Sequence, residues 1–312
     1  MRIEELKTAF KQGTLTKPDY IVQSYDNFHR TLFDYSANLS ETDIREISID
    51  AEGVVFTVRS SGIRIRCQKG DHRSPPFETF NFADFEPSES RMMLKLFEGR
   101  QTFYDIGANI GWHSLNLSAR YRNADYYCFE PIPETYQQLL ENIRLNKFSN
   151  IHTYNLALSD RQGQQTFYFY QACSGNASAV NLTGRDDVSA IECRLERLDE
   201  FMEKSGLPAP EFIKCDVEGA ELMVFKGASK TLSEHKPIIM TEILRKFSAK
   251  YGYNPNEIFE NLAGIGYRAF TTDGRCLIPF KKMNEETIET NFFFLHETSH
   301  GKEISRYQQP NP

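Results

Sequence analysis

The sequence predicts an α/β fold, a mostly parallel sheet wound with helices on both faces, and three observations carry that prediction. From Thr102 onward short apolar runs alternate with helical stretches, the pattern of a parallel sheet buried between helices. Phe103-Tyr-Asp-Ile-Gly-Ala-Asn-Ile-Gly111 reads as a buried strand that stops at Asp105, turns through Gly107, Asn109 and Gly111, and opens an amphipathic helix. Tyr126-Tyr-Cys-Phe-Glu130-Pro131 reads as a second strand, ending in a carboxylate. The 312 residues, 40% hydrophobic and 13% aromatic, suffice for the core of one large domain or one and a half.

Taken in order, residues 1–47 read as mostly helical and polar, with aromatics at Tyr20, Tyr25, Phe28, Phe33 and Tyr35. Residues 54–58 and 63–67 alternate like a hairpin around a Ser-Ser-Gly turn. Residues 71–84, with Pro75 and Pro76, read as loop, and 88–97 as a helix leading into the core. Residues 1–95 thus form an N-terminal helical and β-hairpin segment, set apart from residues 96–312. The helix after Glu130 shows an apolar face at Tyr136, Leu139, Leu140 and Ile143, the i, i+3, i+4, i+7 spacing. Residues 151–158 are expected as the third strand, 164–170 as an alternating strand, 212–216 as the fourth and 237–243 as the fifth. Residues 171–187 read as a long polar loop, either disordered surface or, from its position beside the ligand edge, a substrate lid. A helix at 254–266 and strands at Tyr267–Thr272 and Asn291–His296 complete the chain.

The turn after the first strand suits a nucleotide-type ligand. Glycine tolerates positive φ and lets a ligand approach the backbone, asparagine also enters the left-handed region, and the following helix offers free N–H groups. Glu130 lies about 25 residues beyond Asp105, near where dinucleotide folds place the acid that holds ribose hydroxyls. The spacing, however, is Gly-x-x-x-Gly, and Asp105 at the loop mouth would repel a pyrophosphate. That excludes a nicotinamide-dependent dehydrogenase. S-adenosylmethionine has no phosphate, a ribose for Glu130, and an ammonium that Asp105 can hold.

Asp216 and Glu218 end the fourth strand and Glu242 ends the fifth, so all three are expected at the carboxyl edge of the sheet, where open α/β folds bind ligands. Methyl transfer to a hydroxyl needs in-line positioning and removal of one proton. Asp216 is assigned to the donor's ammonium or the substrate, and Glu218 and Glu242 are the candidate bases. Crowding of like charges is expected to raise at least one of their pKa values. Glu218 can instead serve as a helix N-terminal acid, and Glu242 can pair with Arg245 or Lys246. Three acids can also hold magnesium or calcium, but no local Asp-x-Asp spacing supports this, and a metal-free site is preferred. His113 and His235 are minor candidates. Tyr251 and Tyr253 can stack on a sugar ring or pack in the core. A planar amine target would call for an Asn/Asp-Pro-Pro-aromatic run where Asp216-Val-Glu-Gly stands; a catalytically silent donor-binding scaffold is the non-enzyme alternative.

The net charge of −7 lacks the basic surface that nucleic acid or an anionic membrane requires. No apolar leader opens the chain and no run approaches a membrane span, so a cytoplasmic protein is expected, its oligomeric state open. The six cysteines are scattered without metal-like spacing and read as free thiols.

Phe129-Glu-Pro-Ile-Pro133, Asn142-Ile-Arg-Leu-Asn146, Leu156-Ala-Leu-Ser-Asp160, Leu198-Asp-Glu-Phe201 and Phe212-Ile-Lys-Cys-Asp-Val-Glu-Gly-Ala-Glu221 follow one another as in the FkbM-type methyltransferases, which residues 100–296 resemble. The resemblance implies a class I methyltransferase domain at 96–312: a Rossmann-like, seven-stranded, mostly parallel sheet with its last strand, Asn291–His296, antiparallel. It implies S-adenosylmethionine as donor and O-methylation of a sugar or other small hydroxylated molecule. The donor-contacting set becomes Asp105, Gly107, Ala108, Asn109, Gly111, Glu130, Pro131, Ala157 and Asp216. Two small departures are Cys215, where an aliphatic residue is commoner, and His113 after the bulky Trp112.

Overall fold

The computed structural model describes residues 2–170, 175, 177–181 and 188–309. The chain begins with α1 (Ile3–Lys11), α2 (Lys17–Ser24) and α3 (Arg30–Asn38). Thr16 caps α2, its hydroxyl accepting from the Asp19 N–H at 3.3 Å. The expected hairpin is a three-stranded antiparallel meander, β1 (Ile44–Asp50), β2 (Gly53–Val58) and β3 (Arg64–Cys67). A register shift between Ile44 and Glu46 breaks the two-residue alternation of β1. The strand signal is thereby blurred at the end of a stretch expected to be helical. Helix α4 (Pro75–Phe82) replaces the expected loop at 71–84, because prolines in the first turn give up N–H groups that have no helical partner anyway. Helix α5 (Pro87–Phe97) then buries Met92, Met93, Leu96 and Phe97.

The main sheet draws on β4 (Thr102–Ile106), β5 (Asp125–Phe129) and β6 (Ile151–Tyr154), which alternate with α6 (Trp112–Arg120) and α7 (Pro133–Asn146). The stretch expected as one strand at 151–158 divides between two sheets. At the break, Asn155 Nδ2 donates to the carbonyls of Glu130 and Pro131 at 2.8 and 3.0 Å. Beyond it, β7 (Ala157–Leu158), β8 (Gly163–Phe169) and β9 (Ser189–Glu196) build a separate small sheet in the order β7-β9-β8. The loop expected at 171–187 lies largely outside the described residues, as does Cys173; within it, Ser178 pairs with Tyr168 of β8.

Next come α8 (Leu198–Ser205), β10 (Phe212–Cys215), α9 (Glu221–Gly227), α10 (Ser229–Glu234), β11 (Ile238–Glu242), α11 (Arg245–Ser248) and α12 (Asn256–Gly264). The chain closes with β12 (Tyr267–Thr272), β13 (Leu277–Phe280), β14 (Asn291–His296) and α13 (Gly301–Tyr307). The sheet order is β6-β5-β4-β10-β11-β14-β12-β13. Strands β6, β5, β4, β10 and β11 are parallel, and β14 runs antiparallel to both neighbours, as expected. The sheet therefore holds the seven expected strands and an eighth at its edge, β13, antiparallel to β12.

One apolar cluster packs β2, β3, α5, α6 and α7 on one face of the sheet; a second packs α8, α9 and α12 on the other. The amides of α7 complete the open edge of β3. Asn146 and Asn142 accept from the N–H groups of Arg64 and Arg66 at 2.7 and 2.9 Å, and Gln138 and Asn146 donate to the carbonyls of Arg66 and Arg64 at 2.8 and 2.7 Å. An exposed strand edge is thus paired by side chains. Among the described residues no helix is long and apolar enough to cross a membrane.

Candidate functional site

A cavity of about 510 Å³ opens at the carboxyl ends of β4, β5, β10 and β11. Strand order reverses between β4 and β10, the position where open α/β sheets leave a crevice. The volume is that of a small-molecule site, roughly 300–1,000 Å³. Of the predicted residues, Gly107, Ala108, Asn109, Glu130, Pro131, Ala157, Asp216, Glu218, Glu242 and His113 line it. Asp105, Gly111 and His235 do not. His235 precedes the amino end of β11, on the far side of the sheet.

Glu130 lies at the junction of β5 and the loop that follows β4. Its Oε2 accepts from the Asn109 N–H and its Oε1 from the Ile132 N–H, both at 2.9 Å. Burial pushes its carboxyl up to about 7, against the pull of those two amides. Each oxygen keeps a lone pair for a further donor. Asn109 adopts the expected left-handed backbone, φ +49°, and its Oδ1 is buried without a partner.

The glycines take the expected positive φ and matter for a second reason as well. A Cβ on Gly107 would lie 1.8 Å from the Asp216 carbonyl oxygen, and one on Gly111 would lie 2.6 Å from Leu139 Cδ1. The missing side chains admit neighbouring parts of the protein, at φ values of +76° and +91°.

Asp105 is fully buried behind the cavity wall, where Oδ2 accepts from the Ser114 hydroxyl at 2.6 Å. Its Oδ1 is 3.6 Å from Lys214 Nζ, whose other neighbours are Asp216 Oδ2 at 3.4 Å and the Gly107 carbonyl at 3.0 Å. Burial alone would favour loss of the lysine's proton; Asp216, Asp105 and Glu86 outweigh it and hold the ammonium charged. Asp105 thus lies outside the cavity lining, with Lys214 between it and Asp216. Lys214 was not singled out in the sequence. A lysine inside the apolar run Phe212-Ile-Lys-Cys215 was the available signal, since a buried lysine needs carboxylate partners.

Asp216, Glu218 and Glu242 converge as expected, each offering an oxygen within 4.8 Å of the others. Glu218 takes a left-handed backbone, φ +54°. Its turn is held by the Glu221 carboxylate, which accepts from the N–H groups of Val217 and Gly219 at 3.2 and 3.0 Å. The acid at the helix start is thus Glu221, with Glu218 turned into the cavity. Burial, then Asp216 and Glu242, push the Glu218 carboxyl well above the ordinary range; burial, then Asp216 and Glu86, push Glu242 up to about 9. The expected partners of Glu242 are elsewhere engaged: Arg245 donates to the carbonyls of Asn284, Glu285 and Thr287, and Lys246 lies 4.7 Å from the Phe247 ring.

Tyr251 and Tyr253 support the turn from behind. Tyr253 donates to the Gly219 carbonyl at 2.9 Å, and Tyr251 lies 2.7 Å from the Ser178 hydroxyl, which donates to the Glu218 carbonyl at 3.0 Å. Opposite them, Arg73, Phe82, Phe85 and Glu86 bring the N-terminal segment to the cavity, and Phe82 is 74% exposed at its mouth. Glu86 stands 3.3 Å from His113 Nε2. Burial raises the Glu86 carboxyl, but His113 outweighs that and holds it below its ordinary value. Arg73 and Phe82 fall in the stretch read as loop and Phe85 and Glu86 just beyond it, and none of the four was singled out in the sequence.

The family described as "Methyltransferase FkbM domain" matches residues 105–269. The chain is 29% identical over 150 residues to the hexuronic acid methyltransferase AglP of Haloferax volcanii, covering 48% of this chain and 59% of that protein. It is 27% identical over 172 residues to the 2-O-methyltransferase NoeI of Sinorhizobium fredii, covering 50% and 64%. The matched stretches thus span under two thirds of these relatives. A crystal structure of an FkbM methyltransferase from Methylobacillus flagellatus superposes with a TM-score of 0.42 at 15% identity, covering 87% of this chain and 60% of that one.

Proposed function

The chain belongs to the FkbM methyltransferase family, and on that premise we propose that it moves a methyl group from S-adenosylmethionine to a hydroxyl of a sugar or other small hydroxylated metabolite. The observation that carries this reading is the union, in one cavity, of a partly satisfied ribose-type acid, Glu130, with a cluster of unsatisfied carboxyls.

The residues fit the donor. Glu130 keeps two lone pairs for ribose hydroxyls, and the orphaned Asn109 Oδ1 suits an ammonium. When bound, the donor supplies an electrophilic methyl on a sulfonium. Glu242 and Glu218 are the groups that take the acceptor's proton. Burial and neighbouring charge push Glu242 up to about 9, which suits it to a base working at alkaline pH, where its carboxyl is ionised and a more acidic carboxylate would pull weakly; Glu218 is shifted in the same direction. Lys214 fixes Asp216 and the Gly107 carbonyl, joining the donor loop to the acid turn. Residues 1–95, through α4 and the stretch to Glu86, supply the acceptor side. The names of the two relatives, hexuronic acid and 2-O-methyltransferase, support a sugar oxygen as target.

The reading is tested by incubating the protein with labelled donor and a panel of sugars and glycan extract, followed by mass spectrometry for a methyl increment on oxygen. Calorimetry should show S-adenosylmethionine and S-adenosylhomocysteine binding in preference to NAD. Tight NAD binding with no heat from either adenosyl ligand would refute it.

A further inference from the structure

We infer that Asp216, Glu218 and Glu242 form a binding site for one divalent, oxygen-seeking cation of the magnesium or manganese type. The three residues come from the turn after β10 and the end of β11, so no local sequence motif announces them, and that is why the sequence favoured a metal-free site. Folding brings one oxygen of each within 4.8 Å of the other two, a spacing one cation can bridge.

A second observation points to a missing partner. Glu218 is half-buried, but its Oε2 lies out of reach of solvent and accepts no hydrogen bond; Asp216 Oδ1 is likewise an enclosed, unpartnered oxygen. Buried carboxylate oxygens ordinarily find a donor or an ion. Of the cations that line the cavity, Lys214 lies between Asp105 and Asp216, His113 faces Glu86, Arg73 pairs with Glu78, and Lys246 lies 4.7 Å from the Phe247 ring. Among the described residues, neither Glu218 nor Glu242 has a cation within ion-pair distance. Across the strand register from Glu242 stands Asn291, whose Oδ1 is also buried and unpartnered. The donor set is all oxygen, without cysteine or histidine. That chemistry selects magnesium, manganese or calcium over zinc or copper.

The inference concerns the crevice of the proposed function but rests on its oxygens alone, so it is tested without an acceptor; with a cation bound, Glu218 and Glu242 would act as its ligands and the cation would acidify the acceptor's hydroxyl, the base role belonging to the metal-free site. Mn²⁺ serves as probe, titrated into the full-length protein and followed by the loss of the free-ion paramagnetic resonance signal. One bound Mn²⁺ displaced by excess Mg²⁺ is expected, with affinity weakened at least about 10-fold in Glu218→Gln and in Glu242→Gln. No binding at ~1 mM free Mn²⁺, or binding unchanged in both variants, overturns the site. Crystals soaked in Mn²⁺ give a second readout that needs no variant: an anomalous peak among the three carboxylates supports the site, and its absence there overturns it. S-adenosylhomocysteine calorimetry in EDTA separates this outcome from failure of the methyltransfer reading, since donor affinity should survive chelation.

Discussion

Glu130 and Glu242 are both glutamates at the carboxyl ends of neighbouring parts of one sheet, both largely removed from water, yet they face opposite circumstances. Glu130 receives two backbone N–H groups and rises only to about 7. Among the described residues Glu242 receives none, has Asp216 and Glu86 as neighbours, and rises to about 9. The donor half of the cavity is built to hold a carboxylate; the acid half is built with carboxyls that await a partner. Backbone amides fixed by a tight loop make that difference, because they offset desolvation with no cost of ordering at the moment of binding.

The largest expected effect falls on the joint between the halves. Gly107→Ala should destabilise the fold by about 3 kcal/mol or more, because its Cβ meets a backbone carbonyl that cannot rotate away, and because φ is positive there. Urea denaturation measures it; an unchanged midpoint would mean that β4 and β10 are not so closely joined. Next, Glu242→Gln should lower turnover by about 10²–10⁴-fold with donor affinity retained. Equal losses of donor binding and turnover would erase the distinction between the halves.

On the donor side, Glu130→Ala should weaken S-adenosylhomocysteine by roughly 2–4 kcal/mol, and wild-type affinity should fall as pH drops below 7, because ribose hydroxyls donate to the ionised form. Titration calorimetry at pH 6 and 8 reads both. On the acid side the sign of the pH effect concerns stability. The folded pKa of Glu242 lies above its ordinary 4.5, so the folded chain holds the extra proton between about 4.5 and 9. Stability is therefore fully present below that window and is lost as pH rises through 9. In EDTA, thermal melts of Glu242→Gln should be flatter across this range than those of wild type; parallel curves would show Glu242 to be ordinary. The smallest effect belongs to Phe82→Ala. This exposed ring should change stability by no more than about 0.5 kcal/mol while raising the KM for the acceptor. An unaltered KM would remove the N-terminal segment from acceptor recognition.

The chain from Thr102 onward was readable because apolar periodicity, strand-end acids and glycine spacing are local signals. They placed β12 and β14 residue for residue and brought Glu130, Asp216, Glu218 and Glu242 to one edge. Where a bulge blurred alternation in β1, or prolines opened a helix instead of breaking one in α4, the same signals misled. The residue types lining the crevice and the direction of the sheet follow from the sequence by itself. Only the tertiary structure decided that Asp105 lies behind the wall with Lys214 between it and Asp216, that Gly107 makes room for the Asp216 carbonyl, and that Glu86 arrives opposite Glu242. Such facts depend on distances between elements far apart in the chain, and burial and charge at those distances set which carboxyls keep their protons.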